Sequence, residues 1–199
     1  PVSIDTSKAA VAEQAIDLGA EIINDVTGLE ADPQMLDVAR ATGAGVCAMH
    51  MRGTPRTMQL DPRYDDVVAE IHAYLAARRD ALIASGIPLE KICLDPGIGF
   101  GKTHEHNLEL LRHAGRFLDL GAPILVGHSR KGFLARVAER SPGRPATEAD
   151  RDAATAGAAC SLAAKGIQIV RVHAVGLVRT ALELYSATGA NFWENSPAR

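Results

Sequence analysis

Cysteine is scarce in this chain, and the scarcity excludes two classes at once. Cys47, Cys93 and Cys160 sit in apolar strand or helix patterns with no metal-ligand spacing. They form neither a disulfide framework nor a zinc knuckle, and read as buried thiols of a reducing cytoplasm. No apolar run is long enough to span a bilayer, and no leader stands ahead of Pro1, so a membrane location is not expected. Charge of one sign is also missing. A net charge of −3 and a pI near 6.2 argue against a nucleic-acid or anionic-membrane surface, while leaving local basic clusters free to bind a small anion. Internal repeats and low-complexity linkers are absent too. What remains is 199 residues, 47% hydrophobic and 23% charged, enough for one sizeable core and hardly for two. A single domain over 1–199 is expected.

Strand and helix patterns alternate along the chain. Strands are predicted at 2–5, 21–26, 45–50, 92–94, 123–127 and 167–175. Helices are predicted over 8–18, 33–41, a long stretch carrying Val67, Ile71, Leu75, Arg78 and Leu82, a stretch carrying Leu108, Leu111 and Leu118, a segment through Phe133 and Val137, 152–165 and 178–188. A polar insert occupies 141–152. Apolar strands alternating with helices predict a parallel sheet with right-handed crossovers. An open doubly wound sheet would concentrate polar residues at one or two switch points. Here every strand ends in something polar: Asp5, Asn24, His50, Asp95, Ser129 with Lys131, and Arg171 with His173. A ring of polar ends marks a TIM (β/α)8 barrel. Since a whole barrel takes about 250 residues, six β/α units are expected here and the chain reads as a fragment of a longer one.

The stretch 92–103, ICLDPGIGFGKT, is the centre of the pattern. A buried strand ends on Asp95, breaks at Pro96-Gly97, and passes through a glycine-rich bend to Lys102, Thr103 and a helix. Such a turn places a carboxylate beside free backbone N–H groups. It is not a P-loop, which needs glycine where Pro96 stands, nor a dinucleotide fingerprint, which needs glycine at Lys102. The plainer explanation, a tight strand-to-helix turn whose glycines merely supply positive φ, stays open on this stretch alone. A carboxylate there can accept two parallel N–H bonds from an amidine-like ring edge. Asn24 offers a donor and an acceptor to a ring of mixed polarity, or else simply forms a turn. Asp5 is a second acid at a strand end, equally able to cap the next helix. Lys131 follows Ser129 at a strand end just before a helix, while Arg130 reads as a solvated basic turn. Arg171 and His173, two apart, share the axis-facing side if Val170 and Val172 face the helices, and so read as a phosphate clamp. His50 between Met49 and Met51 has no second histidine at metal spacing, so no metal ligand is assigned.

These residues resemble the dihydropteroate synthase family of pterin-binding barrels. The matching motifs are D-T at 5–6, I-I-N-D-V at 22–26, M-H-M-R-G-T-P-x-T-M-Q at 49–59, D-P-G-I-G-F-G-K-T at 95–103, S-R-K at 129–131 and R-V-H at 171–173. They run in order over nearly the whole chain. The resemblance implies condensation of 6-hydroxymethyl-7,8-dihydropterin pyrophosphate with p-aminobenzoate, releasing pyrophosphate, in folate biosynthesis. It places Asp95 and Asn24 at the pterin ring edge with Asp5 as a supporting acid, and counts Met49, Gly99 and Gly132 among the substrate-binding positions. Lys131 would meet both substrates, Phe100 would wall the p-aminobenzoate pocket, and Arg171 and His173 would hold the pyrophosphate. Lys131, Arg171 and His173 are the implied catalytic set. Magnesium is the implied cofactor, with its expected ligand in a segment ahead of Pro1; partners are the two small substrates and a second copy in a homodimer. The family's first two units have no counterpart here, so the chain alone is expected to be aggregation-prone and inactive until that segment is restored. Ala174 stands where the family usually carries aspartate. A pterin-dependent methyltransferase barrel and a non-catalytic pterin-binding subunit are the alternatives.

Overall fold

The computed structural model describes residues 1–54, 56–139 and 144–189. Pro55, within one of the matched motifs, and residues 141–143 of the polar insert lie outside them. Six parallel strands alternate with helices: β1 (Ser3–Asp5), α1 (Ala9–Asp17), β2 (Ile22–Asp25), α2 (Met35–Thr42), β3 (Gly45–Met49), α3 (Val67–Ala84), β4 (Ile92–Asp95), α4 (His104–Arg112), β5 (Leu125–Val126), α5 (Gly132–Ala138), α6 (Glu148–Ala163), β6 (Ile169–Val170) and α7 (Val175–Ala187). β1 to β4 pair in sequence order and β5 pairs with β6. A bridge between Leu94 and Ile124 joins the two groups. The result is one parallel arc in which each strand neighbours its successor. Consecutive order without a switch point is the arrangement of a (β/α)8 barrel, six of whose units are seen here. The side chains of Asp5 and Arg171 meet at 3.3 Å, bringing the ends of β1 and β6 together across 166 residues.

Register dictates which residues face the site. Asp5, Asn24, Cys47 and Cys93 occupy one cross-strand row, and Met49 pairs with Asp95 two residues further on. Side chains alternate along a strand, so these rows face the axis, while Ile23, Val46, Ala48, Ile92 and Leu94 face the helices. The helix-facing rows and the inner faces of α2, α3 and α4 form one core with Phe117, Leu82, Leu75 and Ile71 at its heart, all 0% exposed. Arg78, on the apolar stripe of α3, is buried there because its Nη2 donates to the Leu29 carbonyl and Glu30 lies beside Nη1.

Four elements differ from the sequence prediction, and of the strand expected over 123–127 only Leu125–Val126 keeps ladder pairing. The sixth strand keeps ladder pairing only at Ile169–Val170, because the chain peels toward the site and α7 begins at Val175, three residues early. α6 begins at Glu148 rather than near Asp152, since Thr147 and Asp150 form a reciprocal capping box upstream of the alanine run. The helix after β4 stops at Arg112, and Ala114–Leu120 continues as a 3-10 segment closed by Gly121 with φ of 71°.

Candidate active site

The β4–α4 loop forms the wall of the site. Gly97 has φ of 68°, and a Cβ on it would overlap the His50 carbonyl, so only glycine passes here. Gly99 (φ 81°) lies against Lys131, where a Cβ would sit 2.8 Å from Cδ. Asn107 on α4, 4% exposed, clamps this loop: its Oδ1 accepts the Gly99 N–H at 2.7 Å and its Nδ2 donates to the Thr103 carbonyl at 2.6 Å. Tyr64 adds a bond from its hydroxyl to the Gly101 carbonyl at 2.9 Å.

Asp95 lies under this loop, 1% exposed, and accepts the Gly97 N–H at 2.7 Å. Burial pushes its pKa upward, opposed by that N–H and by the nearby Lys131, Arg171 and Lys102 cations. Asn24 is 4% exposed and its Nδ2 has no partner within the described chain. An orphaned buried donor costs about 1–3 kcal/mol unless a ligand accepts from it. Asp25, on the opposite face, accepts the Thr27 N–H and hydroxyl through Oδ1, while its buried Oδ2 has no partner among the described residues. Met49 is buried in the row of Asp95. Cys47 and Cys93 lie side by side one layer below; the Cys93 contact and burial push the Cys47 thiol well up, so it stays protonated.

The cations gather on the other side. A cavity of about 310 Å³ is lined by Phe100, Gly127, Ser129, Lys131, Arg171, Val172 and His173. Lys131 donates from Nζ to the Ile98 carbonyl and sits 4.4 Å from the Phe100 ring centroid. Burial pulls its pKa down to about 8, though Asp95 opposes this. Val170 and Val172 pack among the helices, so Arg171 and His173 do project toward the axis. Gly132, the first residue of α5, has open space around its Cα. Asp95 and Asn24 lie outside the cavity lining, and Asp95 feels the charges of Lys131 and Arg171 that line it.

Two expectations need correction. Asp5 does not cap the next helix: its side chain is 60% exposed and pairs with Arg171, and α1 starts at Ala9 without a side-chain cap from its N-cap residue. Arg130 is not simply solvated. It is held by both oxygens of Asp152 at 2.7 and 2.9 Å and by Glu148, with φ of 57°. That grip turns Arg130 away and leaves Lys131 for the site.

Lys102, His50 and Asn107 carry parts that motif reading did not assign. Lys102 is 3% exposed, with Nζ 3.1 Å from His50 Nδ1 and 2.9 Å from the Phe100 carbonyl it donates to. Burial lowers its pKa to about 7, and burial together with the Lys102 and Arg52 charges lowers His50 to about 3. His50 is therefore a neutral acceptor in the core. Lys102 stood in a quoted motif without a role. Asn107 had no signal in sequence at all, because its contacts run back to a loop.

A buried acid and an unsatisfied amide at strand ends, beside the Lys131 and Arg171 cations and His173, make a barrel site suited to a polar heterocycle next to an anion. A family model described as pterin binding enzyme matches residues 1–173. The chain belongs to this pterin-binding enzyme family. Dihydropteroate synthase of Neisseria meningitidis serogroup B is 41% identical over 195 residues, covering 96% of this chain and 67% of that protein. The crystal structure of dihydropteroate synthase from Stenotrophomonas maltophilia, with imidazole bound in its active site, matches with a TM-score of 0.87 at 42% identity, covering 100% of this chain and 71% of that one. The Xanthomonas albilineans enzyme in complex with 7,8-dihydropteroate gives 0.85 at 35% identity, covering 99% and 68%. The chain spans between 59% and 67% of the length of the first curated relatives it matches.

Proposed function

We propose that this chain carries the dihydropteroate synthase site and joins a pterin pyrophosphate to p-aminobenzoate. One observation carries the reading: Asp95 and Asn24, both buried and poor in internal partners, stand against Lys131, Arg171 and His173. The carboxylate of Asp95 and the amide of Asn24 would grip the amidine-like edge and the carbonyl of the pterin, while Arg171 and His173 hold the pyrophosphate. The amine nitrogen attacks the pterin methylene carbon, the C–O bond to pyrophosphate breaks with its electron pair leaving on the phosphate, and the amine then loses a proton to water. Lys131 over Phe100 stands where the second substrate enters, and its positive charge favours both the leaving polyanion and the benzoate. The product complex of the Xanthomonas relative supports the same pairing of substrates.

Magnesium enters this proposal only as an ion travelling with the pyrophosphate. Among the described residues no three His, Cys, Asp or Glu side chains come together as a metal-binding group, so a magnesium ion here would share its ligands with the pyrophosphate oxygens and water. A reducing cytoplasmic setting is supported by the unlinked Cys47 and Cys93 side by side. No helix among the described residues is long and apolar enough to cross a membrane. A homodimer is supported by exposed Leu177 and Leu184 one heptad apart on α7.

Incubation with 6-hydroxymethyl-7,8-dihydropterin pyrophosphate and p-aminobenzoate tests the reading. Stoichiometric release of pyrophosphate with formation of 7,8-dihydropteroate is expected when the segment that the family carries ahead of Pro1 is supplied in cis, and little turnover from the chain alone. Pterin binding without release would leave a non-catalytic pterin-binding protein, and methyl transfer from a methylated pterin would move the chain to the methyltransferase class.

A further inference from the structure

We propose that Ser129 is a positioning residue that fixes the ring orientation and tautomer of His173, presenting Nε2–H as a donor to an anionic oxygen in the cavity. Ser129, at the turn between β5 and α5, is 7% exposed, and its Oγ accepts the His173 backbone N–H at 3.2 Å. The same oxygen lies 2.9 Å from His173 Nδ1. A serine hydroxyl has one proton to give. Among the described residues Ser129 Oγ has no other hydrogen-bond partner, and the tautomer proposed is the one in which that proton goes to Nδ1 rather than to solvent. Nδ1 is then the acceptor of the ring and the second proton-bearing position, Nε2, becomes the donor.

The anchoring on either side makes this arrangement rigid. Val172 packs with Ala156, Ala159 and Val178, which sets the direction of its neighbours Arg171 and His173. His128 and Arg130 flank Ser129 and are tied to α6: the His128 ring lies 3.0 Å from the Thr155 carbonyl, and the Arg130 N–H donates to the Thr155 hydroxyl. The turn that carries Ser129 is thus fixed to α6 through its neighbours, while its own hydroxyl reaches His173, which with Lys131 and Arg171 lines the cavity. Two N–H donors of different kinds, the Arg171 fork and the His173 Nε2–H, suit a polyphosphate that spreads its charge over several oxygens.

The inference rests on the pyrophosphate-clamp reading of Arg171 and His173, but its test separates the two. Long-range 1H–15N correlation spectra of histidine-labelled protein, with His173→Gln to identify the His173 signals among seven histidines, report which ring nitrogen carries the proton. In the unmodified chain Nδ1 is expected to be unprotonated and Nε2 protonated. Ser129→Ala should average the two signals, and Ser129→Thr, which keeps the hydroxyl, should restore them. Inorganic pyrophosphate, titrated calorimetrically, should bind about tenfold more weakly to Ser129→Ala and regain affinity in Ser129→Thr, with p-aminobenzoate affinity moving less. A protonated Nδ1 in the unmodified chain overturns the assignment, even if Ser129→Ala fails to fold. So does an unchanged spectrum in a folded Ser129→Ala. Correct tautomer behaviour with no pyrophosphate binding would instead uphold the role of Ser129 and overturn the clamp reading.

Discussion

At the scale of single residues, Asp95 shows how burial opposes the role proposed for it. A carboxylate that is 1% exposed is held toward its neutral form by burial, yet gripping an amidine-like edge requires the anion. The Lys131, Arg171 and Lys102 charges pull it back. Asp95→Asn keeps the shape, removes the charge and replaces an acceptor by a donor. It should weaken pterin binding by at least about 1.5–3 kcal/mol, the worth of a charged hydrogen bond, and leave the fold intact; unchanged affinity in calorimetry would sink the assignment. His50 offers a separate test through stability. Its folded pKa is depressed to about 3 from 6.5, so below pH 6.5 the unfolded chain takes up a proton that the folded chain refuses. Stability from this residue is therefore complete above pH 6.5 and is lost as pH falls toward 3, by at most about 1.4 kcal/mol per pH unit. Lys102, at about 7, is mostly protonated in both states across pH 5–6 and adds little slope there. Urea unfolding at pH 6 and pH 5 should show a smaller loss for His50→Gln than for the unmodified chain. Parallel losses would mean that His50 titrates normally.

At the scale of elements, the β4–α4 loop owes its shape to a residue outside it. Nothing in GIGFG tells which way its N–H groups turn, since its glycines admit many conformations. Asn107, one turn into α4, selects one by taking the Gly99 N–H and returning a donor to Thr103. Asn107→Leu, similar in size and without polar groups, leaves a backbone donor and an acceptor unpaired. We expect a loss of about 1–3 kcal/mol in unfolding free energy. Affinity for p-aminobenzoate should fall as well, because Phe100 would no longer be held against Lys131. A stability loss with unchanged p-aminobenzoate binding would show that the loop does not form that pocket. Other local signals were readable in advance: the N-cap of α3 at Asp66, accepting from Val68 and Ala69, follows the ordinary preference for aspartate. The Thr147 capping box was equally visible in T-E-A-D, yet the alanine run drew the predicted start of α6 downstream.

At the scale of the whole molecule, the contact between Arg171 and Asp5 joins the last strand to the first. The pair is largely exposed, 41% and 60%, so it adds little stability; Asp5→Asn should change unfolding free energy by less than about 1 kcal/mol. Its consequence is electrostatic, since Asp5 competes with any anion for Arg171. Arg171→Ala should weaken pyrophosphate binding by tenfold or more and binding of a pterin lacking pyrophosphate much less. Equal losses for both ligands would make the residue structural. Pyrophosphate binding should also weaken with added salt, because a chain of net charge −3 attracts an anion only through this local cluster.

Composition, periodicity and motif order by themselves determined the α/β class, the six units and the ring of polar strand ends, because apolar alternation and glycine punctuation are local properties of a chain. They also picked out Asp95, Asn24, Lys131, Arg171 and His173, whose residue types are uncommon at the ends of buried strands. Only the tertiary structure decided partners. Asp5 meets Arg171, Ser129 meets His173, Lys102 meets His50 and Asn107 meets Gly99. Three of these pairs join residues 44 to 166 positions apart, and the fourth reaches back eight residues across a loop. Hydrogen bonds and charge interactions fall off within a few ångströms of space, whatever the separation along the chain. Which groups come that close is set by the strand register and the curvature of the sheet, and neither is written in any one stretch of sequence.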